Sequence, residues 1–166
     1  MNRRRSFEVG HVRKYLLVVD DSAEVESALY YAASRVQRAS GIIVMLYVIE
    51  PQQYTHWVGV RELQVEEETT KAKALFRLFR RKLNLAGFEA VGCEEAIREG
   101  TTAEQILSAI TEDEDISILV LGASTDAKGP GPLVSSIAAG KLAGTFPIPI
   151  TIVPGYLALE DIKSLA

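Results

Sequence analysis

The chain has 166 residues, a formal net charge of -4 at pH 7, and 48% hydrophobic against 24% charged residues, enough for one hydrophobic core and too little for two. That balance excludes a disordered tail, a collagen-like repeat and a mini-scaffold held by staples. With Lys+Arg 18 against Asp+Glu 22 there is no excess positive field, so nucleic acid is not an expected partner.

The start, Met1 to Ser6, is basic, but no apolar segment follows until Tyr15, and that one ends in Asp20-Asp21. This is not the pattern of a secretory signal, and residues 1–13 read as a short mobile arm on a cytoplasmic protein. Tyr15 to Val19 is a continuous apolar run closed by two carboxylates, as expected of a strand covered on both faces and central in a parallel sheet. Asp21 or Ser22 is placed to cap the next helix, in which Val25, Ala28, Leu29, Ala32 and Val36 share a face and Gly41 is the stop.

Ile42 to Ile49 forms a second buried strand ended by Glu50-Pro51. At eight residues it is far short of the roughly 20 that cross a bilayer, so no membrane partner is expected. A long helix is predicted from about Arg61 to Ala86, with Ala72, Phe76, Phe79 and Leu83 on one face and Gly87 at its end. Its cations Lys71, Lys73, Arg77, Arg80, Arg81 and Lys82 read as a solvated face, or as a landing site for an acidic partner. His56-Trp57, in the connection before it, is either a cover for a bound base or local core.

Phe88 to Ile97 alternates imperfectly and reads as an edge strand. It carries Cys93, the sole cysteine, which has no second thiol to bridge and suits a reducing compartment. Thr101-Thr102-Ala103-Glu104 has the form of a capping box, opening a helix with Ile106, Leu107 and Ile110 inward. Ile116 to Leu121 is another central strand stopping at Gly122; a Gly/Pro loop and a small-residue helix around Leu133 to Ala143 follow. Ile148 to Val153 is the last strand, placed at an edge by Pro149 and Pro154, and residues 155–166 form an extension with Leu157, Ile162 and Leu165 apolar.

Strands and helices alternating at this spacing predict an α/β fold: one doubly wound parallel sheet of five strands with helices on both faces, spanning residues 14–154. In such sheets ligands sit beyond the carboxyl ends of the strands, where connections leave to opposite faces. No Ser-His-Asp order, paired-acid set or histidine metal spacing can be assembled, so no catalytic or metal residue is assigned. Gly140-Lys141 lacks the partners of a phosphate loop and lies inside a predicted helix.

The tip Val18-Val19-Asp20-Asp21 resembles a phospho-receiver, but no acceptor Asp or Lys closes a later strand. A second resemblance covers about Tyr15 to Val153. Asp20 after the first strand, Leu46 to Glu50, Gly100, Leu121-Gly122 and Pro147 to Val153 follow the order of the universal stress proteins.

That resemblance implies strand order 3-2-1-4-5, an adenine nucleotide alpha hydrolase-like fold, and a homodimer through the last strand. It also implies ATP or AMP, with Mg²⁺ if a triphosphate, in the crevice between the first and fourth strands. Asp20 and the backbone at Val48 would lie beside the base and Gly122 near the ribose.

The family's Gly-x2-Gly-x9-Gly-[Ser/Thr] spacing falls on Gly122, Thr125, Ser135 and Ser136, so two of its three glycines are replaced. A Thr held at positive φ would be strained by about 1–3 kcal/mol, so the loop is expected to take another path. Gly129 and Gly131 supply the freedom for that path, and Lys128 a charge for phosphate. A rigid surface turn explains the same residues equally well. The roles that follow are a regulatory binding module, a dimeric stress protein acting by protein contacts, or a slow ATP-hydrolysing enzyme.

Overall fold

The structure is a computed structural model describing residues 3–52 and 58–166. His56-Trp57 lies outside the described residues. The elements are β1 (Lys14–Val18), α1 (Val25–Ala39), β2 (Ile42–Ile49), α2 (Val58–Leu85), β3 (Gly92–Glu99), α3 (Thr102–Glu112), β4 (Ile116–Ala123), β5 (Ile150–Pro154) and α4 (Leu159–Leu165). The five strands form one sheet in the order β3-β2-β1-β4-β5, and each neighbouring pair is parallel.

Alternation along the central strands divides the core into two layers. Tyr15 and Leu17 of β1, Ile43, Met45 and Tyr47 of β2 and Val120 of β4 face α1 and α2, which contribute Ala28, Leu29, Ala32, Phe76, Phe79 and Leu83. Leu16 and Val18, Val44 and Leu46, and Leu119 and Leu121 point the other way, onto Ile106 and Ile110 of α3 and onto Val134, Ile137 and Ile148. The continuous apolar runs of β1, β2 and β4 therefore report what they should, burial on both faces.

Four local expectations are revised by contacts in the folded chain. Phe88 is not a strand residue: Gly87, at φ +90°, donates to Asn84 and Phe88 to Leu83, a Schellman stop that packs Phe88 into the core. α1 is capped by neither Asp21 nor Ser22, because Ser22 turns back to Asp20 and the helix starts from Glu24 without a side-chain cap.

The helix expected from Leu133 to Ala143 shrinks to one wide turn, Val134–Ala138, closed by Ala139 donating to Val134, and a 3-10 turn, Ala143–Thr145. Between them Gly140 lies so close to the Ser136 carbonyl that a Cβ would stand 2.5 Å from it. The chain there packs tightly on its own preceding turn.

α4 lies along α1, with Ile162 buried and Leu165 exposed, and Ser27 donates to the carbonyls of Gly155 and Leu157. Finally, the segment read as a mobile arm makes ordered contacts. The Arg4 guanidinium donates to the carbonyls of Ile110 and Asp113 at the end of α3 and of Ile116 at the start of β4, and His11 pairs with Asp115 at 2.7 Å. A cation there complements the negative end of that helix.

Candidate functional site

β1 and β4 are neighbours, and after them the chain leaves to opposite faces of the sheet, toward α1 and toward the wide turn at Val134. The divergence opens a cleft of about 420 Å³ beyond the strand ends. Val18, Val19 and Asp20 of the β1 tip and Tyr47, Val48 and Glu50 of the β2 tip form its floor. Thr101 to Ala103 stand on one side and Pro132, Leu133 and Ser136 on the other.

The floor is held in place by bonds between elements. Asp20 is exposed, and its Oδ1 accepts from Ser22 N at 2.8 Å and from the Ser22 hydroxyl, which fixes the carboxylate at the cleft mouth. Asp21 points elsewhere, to Lys71 at 3.0 Å, and that hydrogen bond and charge hold its carboxyl below the usual range. The buried Tyr47 donates its hydroxyl to Glu68 of α2, and burial with the Glu68 carboxylate pushes the phenol far up, so it stays protonated.

Glu50 reaches across to α3, accepting from Thr102 N at 3.0 Å and Thr102 Oγ1 at 2.5 Å, and these bonds lower its carboxyl pKa. The expected capping box is thus replaced. Thr101 occupies the N-cap position without a side-chain bond, and the carboxylate comes from the β2 tip. Tyr47, Glu50 and Thr102 were absent from the predicted site residues. Glu50 alone carried a signal, as the acid that closes an otherwise apolar strand.

The predicted residues divide among three neighbouring spaces. Asp20, Val48 and Ser136 line the main cleft. Gly122 lines a smaller cavity of about 60 Å³ together with Asp20, Ser22, Glu24, Pro130 and Gly131. Lys128, Gly129, Gly131 and Ser135 line an outer depression of about 450 Å³, shared with Glu24, Ser124 and Asp126. Thr125 is exposed and lines none of the three.

Gly122 has a packing role. A Cβ there would lie 2.4 Å from the Glu24 carbonyl oxygen, and one at Gly155 would lie 2.5 Å from the Ala123 carbonyl and 2.9 Å from the Glu24 Cβ. The Glu24 backbone is therefore wedged between two glycines, which aims its side chain at Gly131.

The loop from Ser124 to Pro130 takes the alternative path. Gly129 and Gly131 have φ of +119° and +101°, while among the described residues Ser40 is the only non-glycine at positive φ, so Thr125 is unstrained. The loop closes on itself: Ser124 N donates to Pro130 O, Asp126 N to Ser124 Oγ, Lys128 N to Asp126 Oδ1 and Gly129 N to Asp126 O.

Backbone amides gathered in a loop are what hold phosphate in nucleotide sites. Here four of them are already bonded within the loop, and Asp126 and Glu24 add negative charge beside Lys128. The arrangement sets a roomy, largely apolar cleft beside a loop that is poorly prepared to hold a polyphosphate. Among the described residues no group of three or more His, Cys, Asp or Glu is placed to hold a metal, and no helix is long and apolar enough to cross a membrane.

Residues 11–154 match a family model described as the Universal stress protein family. No curated protein sequence matches the chain significantly. Among solved structures it is similar to the universal stress protein UspA from Lactobacillus plantarum, with 20% identity, TM-score 0.66, and coverage of 85% of this chain and 97% of that one. A universal stress protein from Archaeoglobus fulgidus in complex with dAMP has 13% identity, TM-score 0.55 and coverage of 85% and 97%. One from Arabidopsis thaliana with AMP bound has 19% identity, TM-score 0.55 and coverage of 86% and 91%. At these identities the likeness carries the fold.

Proposed function

The chain belongs to the universal stress protein family, and we propose that within it this protein is a regulatory module binding an adenosine mononucleotide in the cleft at the β1 and β2 tips. The observation that carries this reading is the 420 Å³ opening floored by Asp20 and Val48. It is apolar enough to bury a purine, and of its two carboxylates Glu50 is engaged by Thr102 while Asp20, held by Ser22, stands at the mouth to accept from an exocyclic amine. Family relatives with AMP and with dAMP support a ligand of this size.

AMP is preferred to ATP on this reading, because the loop that would hold the outer phosphates has its amides engaged and carries Asp126. Titration calorimetry with AMP, ATP and ATP with Mg²⁺ tests it. AMP is expected to bind more tightly than ATP, and Asp20→Ala to weaken AMP about tenfold, as expected for loss of a hydrogen bond to a charged group. Absence of binding by any of the three at millimolar concentration overturns the proposal.

A second element of the reading is pairing of two copies through β5. That strand ends the sheet, and Ile152 is 42% and Tyr156 74% exposed beside it. An open strand edge is a template for another strand. Light scattering is expected to give a mass above that of a monomer, which Ile152→Lys lowers; a wild-type monomer at all concentrations refutes β5 pairing.

A further inference from the structure

α2 buries one face, with Ala72, Phe76, Phe79 and Leu83 against the sheet. The opposite face shows a pattern the core does not explain. Leu63, Leu78 and Leu85 are 55%, 44% and 79% exposed, and they are all of the large hydrophobic side chains exposed on this helix among the described residues. They fall on a single stripe with Glu67, Thr70, Ala74 and Arg81, also exposed. Successive members are four, three, four, four, three and four residues apart, the spacing of a seam on one side of a helix.

That spacing reads the same in both directions about Ala74. Turned over by a two-fold axis through Ala74, the stripe places Leu63 against Leu85, Glu67 against Arg81 and Thr70 against Leu78. The charges are complementary under the same operation, with the acid in the N-terminal half and the base in the C-terminal half. Several of the helix's other cations are paired within the chain, Lys71 with Asp21, Arg80 with Glu95 and Lys82 with Glu26. Among the described residues Glu67 and Arg81 have no ion-pair partner.

We infer that the outer face of α2 is a self-complementary docking surface for a second copy of this chain, packed antiparallel about Ala74. A two-fold contact requires a patch that matches itself, which one stripe with a palindromic spacing and opposite charges at its ends supplies. The small Ala74 at the axis allows the helices to approach closely, and the span from Leu63 to Leu85 gives a seam about 33 Å long. Lys73 and Arg77 lie on the shoulder of the stripe, where long side chains can swing away. The surface is distinct from β5, so the two contacts can operate together or apart.

The test uses the full chain. In a Cys93→Ser background, Ala74→Cys puts one thiol per copy at the axis, and mild oxidation is expected to join two chains about tenfold faster than with Glu89→Cys, exposed beyond the seam. The product is scored by which cysteines are joined, so pairing through β5 gives no signal. Sedimentation gives the second readout. Arg81→Glu sets Glu67 against a like charge twice per pair and is expected to weaken α2-mediated association about tenfold. Glu67→Arg combined with Arg81→Glu is expected to restore it. Cross-linking at Ala74→Cys no faster than at Glu89→Cys overturns the inference. So does association unaffected by Arg81→Glu, or failure of the double exchange to restore it while circular dichroism shows all variants folded.

Discussion

The two halves of the cleft are built in opposite ways. At the β1 and β2 tips, bonds run between elements: Tyr47 to Glu68 of α2, and Thr102 of α3 to Glu50. These contacts leave an open space and fix its walls. Past β4, the bonds from Ser124 to Pro130 stay within one loop and close it. Pre-organisation by neighbouring elements produces a receptive surface, whereas a segment that satisfies its own amides has none left for a ligand. The half at the β1 and β2 tips is thus open to a ligand, and the loop past β4 is prepared to stand alone.

Three substitutions break or sharpen that contrast. The largest effect is expected from Gly122→Val, whose new side chain meets the Glu24 backbone carbonyl, which cannot swing aside. We expect a loss of about 3 kcal/mol in urea unfolding, in the upper range for overpacking a close contact. Stability unchanged within error would show that Gly122 is not held by Glu24.

The next effect is smaller and depends on pH. The folded state holds the Glu50 carboxyl below its ordinary value through the two Thr102 donors. Its contribution is therefore complete above the unfolded pKa and lost as pH falls through the folded one. Glu50 is exposed, so about 0.5–1 kcal/mol is expected from the cap after allowance for solvent. Thermal melts of wild type and Glu50→Gln should differ near pH 6 and converge toward about pH 3, across and below the ordinary glutamate range. A constant difference would remove Glu50 as the titrating cap.

The smallest effect sharpens the comparison. Asp126→Ala removes the acceptor that engages the amides of Lys128 and Gly129 only in part, since its carbonyl remains, and it removes one negative charge from the depression. Calorimetry should find the affinity for ATP raised about threefold relative to AMP, the scale of one exposed charge. An unaltered ratio would mean that the closed loop does not set the preference.

Much of the fold was legible because its signals are local. The unbroken apolar runs from Tyr15, Ile42 and Ile116 require cover on both faces wherever they are placed, and the 3.6-residue pattern of Ala72, Phe76, Phe79 and Leu83 is a property of the segment itself. The family order of landmarks then led to Asp20 and Val48, both of which line the cleft.

What was not legible depends on which partner wins. Glu50 caps a helix that starts 52 residues later in the chain, where the local Thr101 and Glu104 offered a sufficient cap of their own. Phe88 reads as the start of a strand until Gly87 turns the chain and buries it against the end of α2. The segment after Pro132 has helical composition, but Gly140 folds it against its own preceding turn. The motif spacing from Gly122 to Ser136 survived in the sequence although the loop between them had already satisfied its own donors.

The glycine at the end of β4 also bears on how a family motif is to be interpreted in this chain. It keeps company with Gly155 in making room for a main-chain carbonyl and a β-carbon at the root of α1, a demand that is present with or without any guest in the cleft. This chain would be unable to carry a side chain there even if nothing ever bound in the cleft. The glycine's presence therefore testifies to how the first helix is seated on the sheet, and evidence of ligand chemistry has to be sought in the loop beyond it.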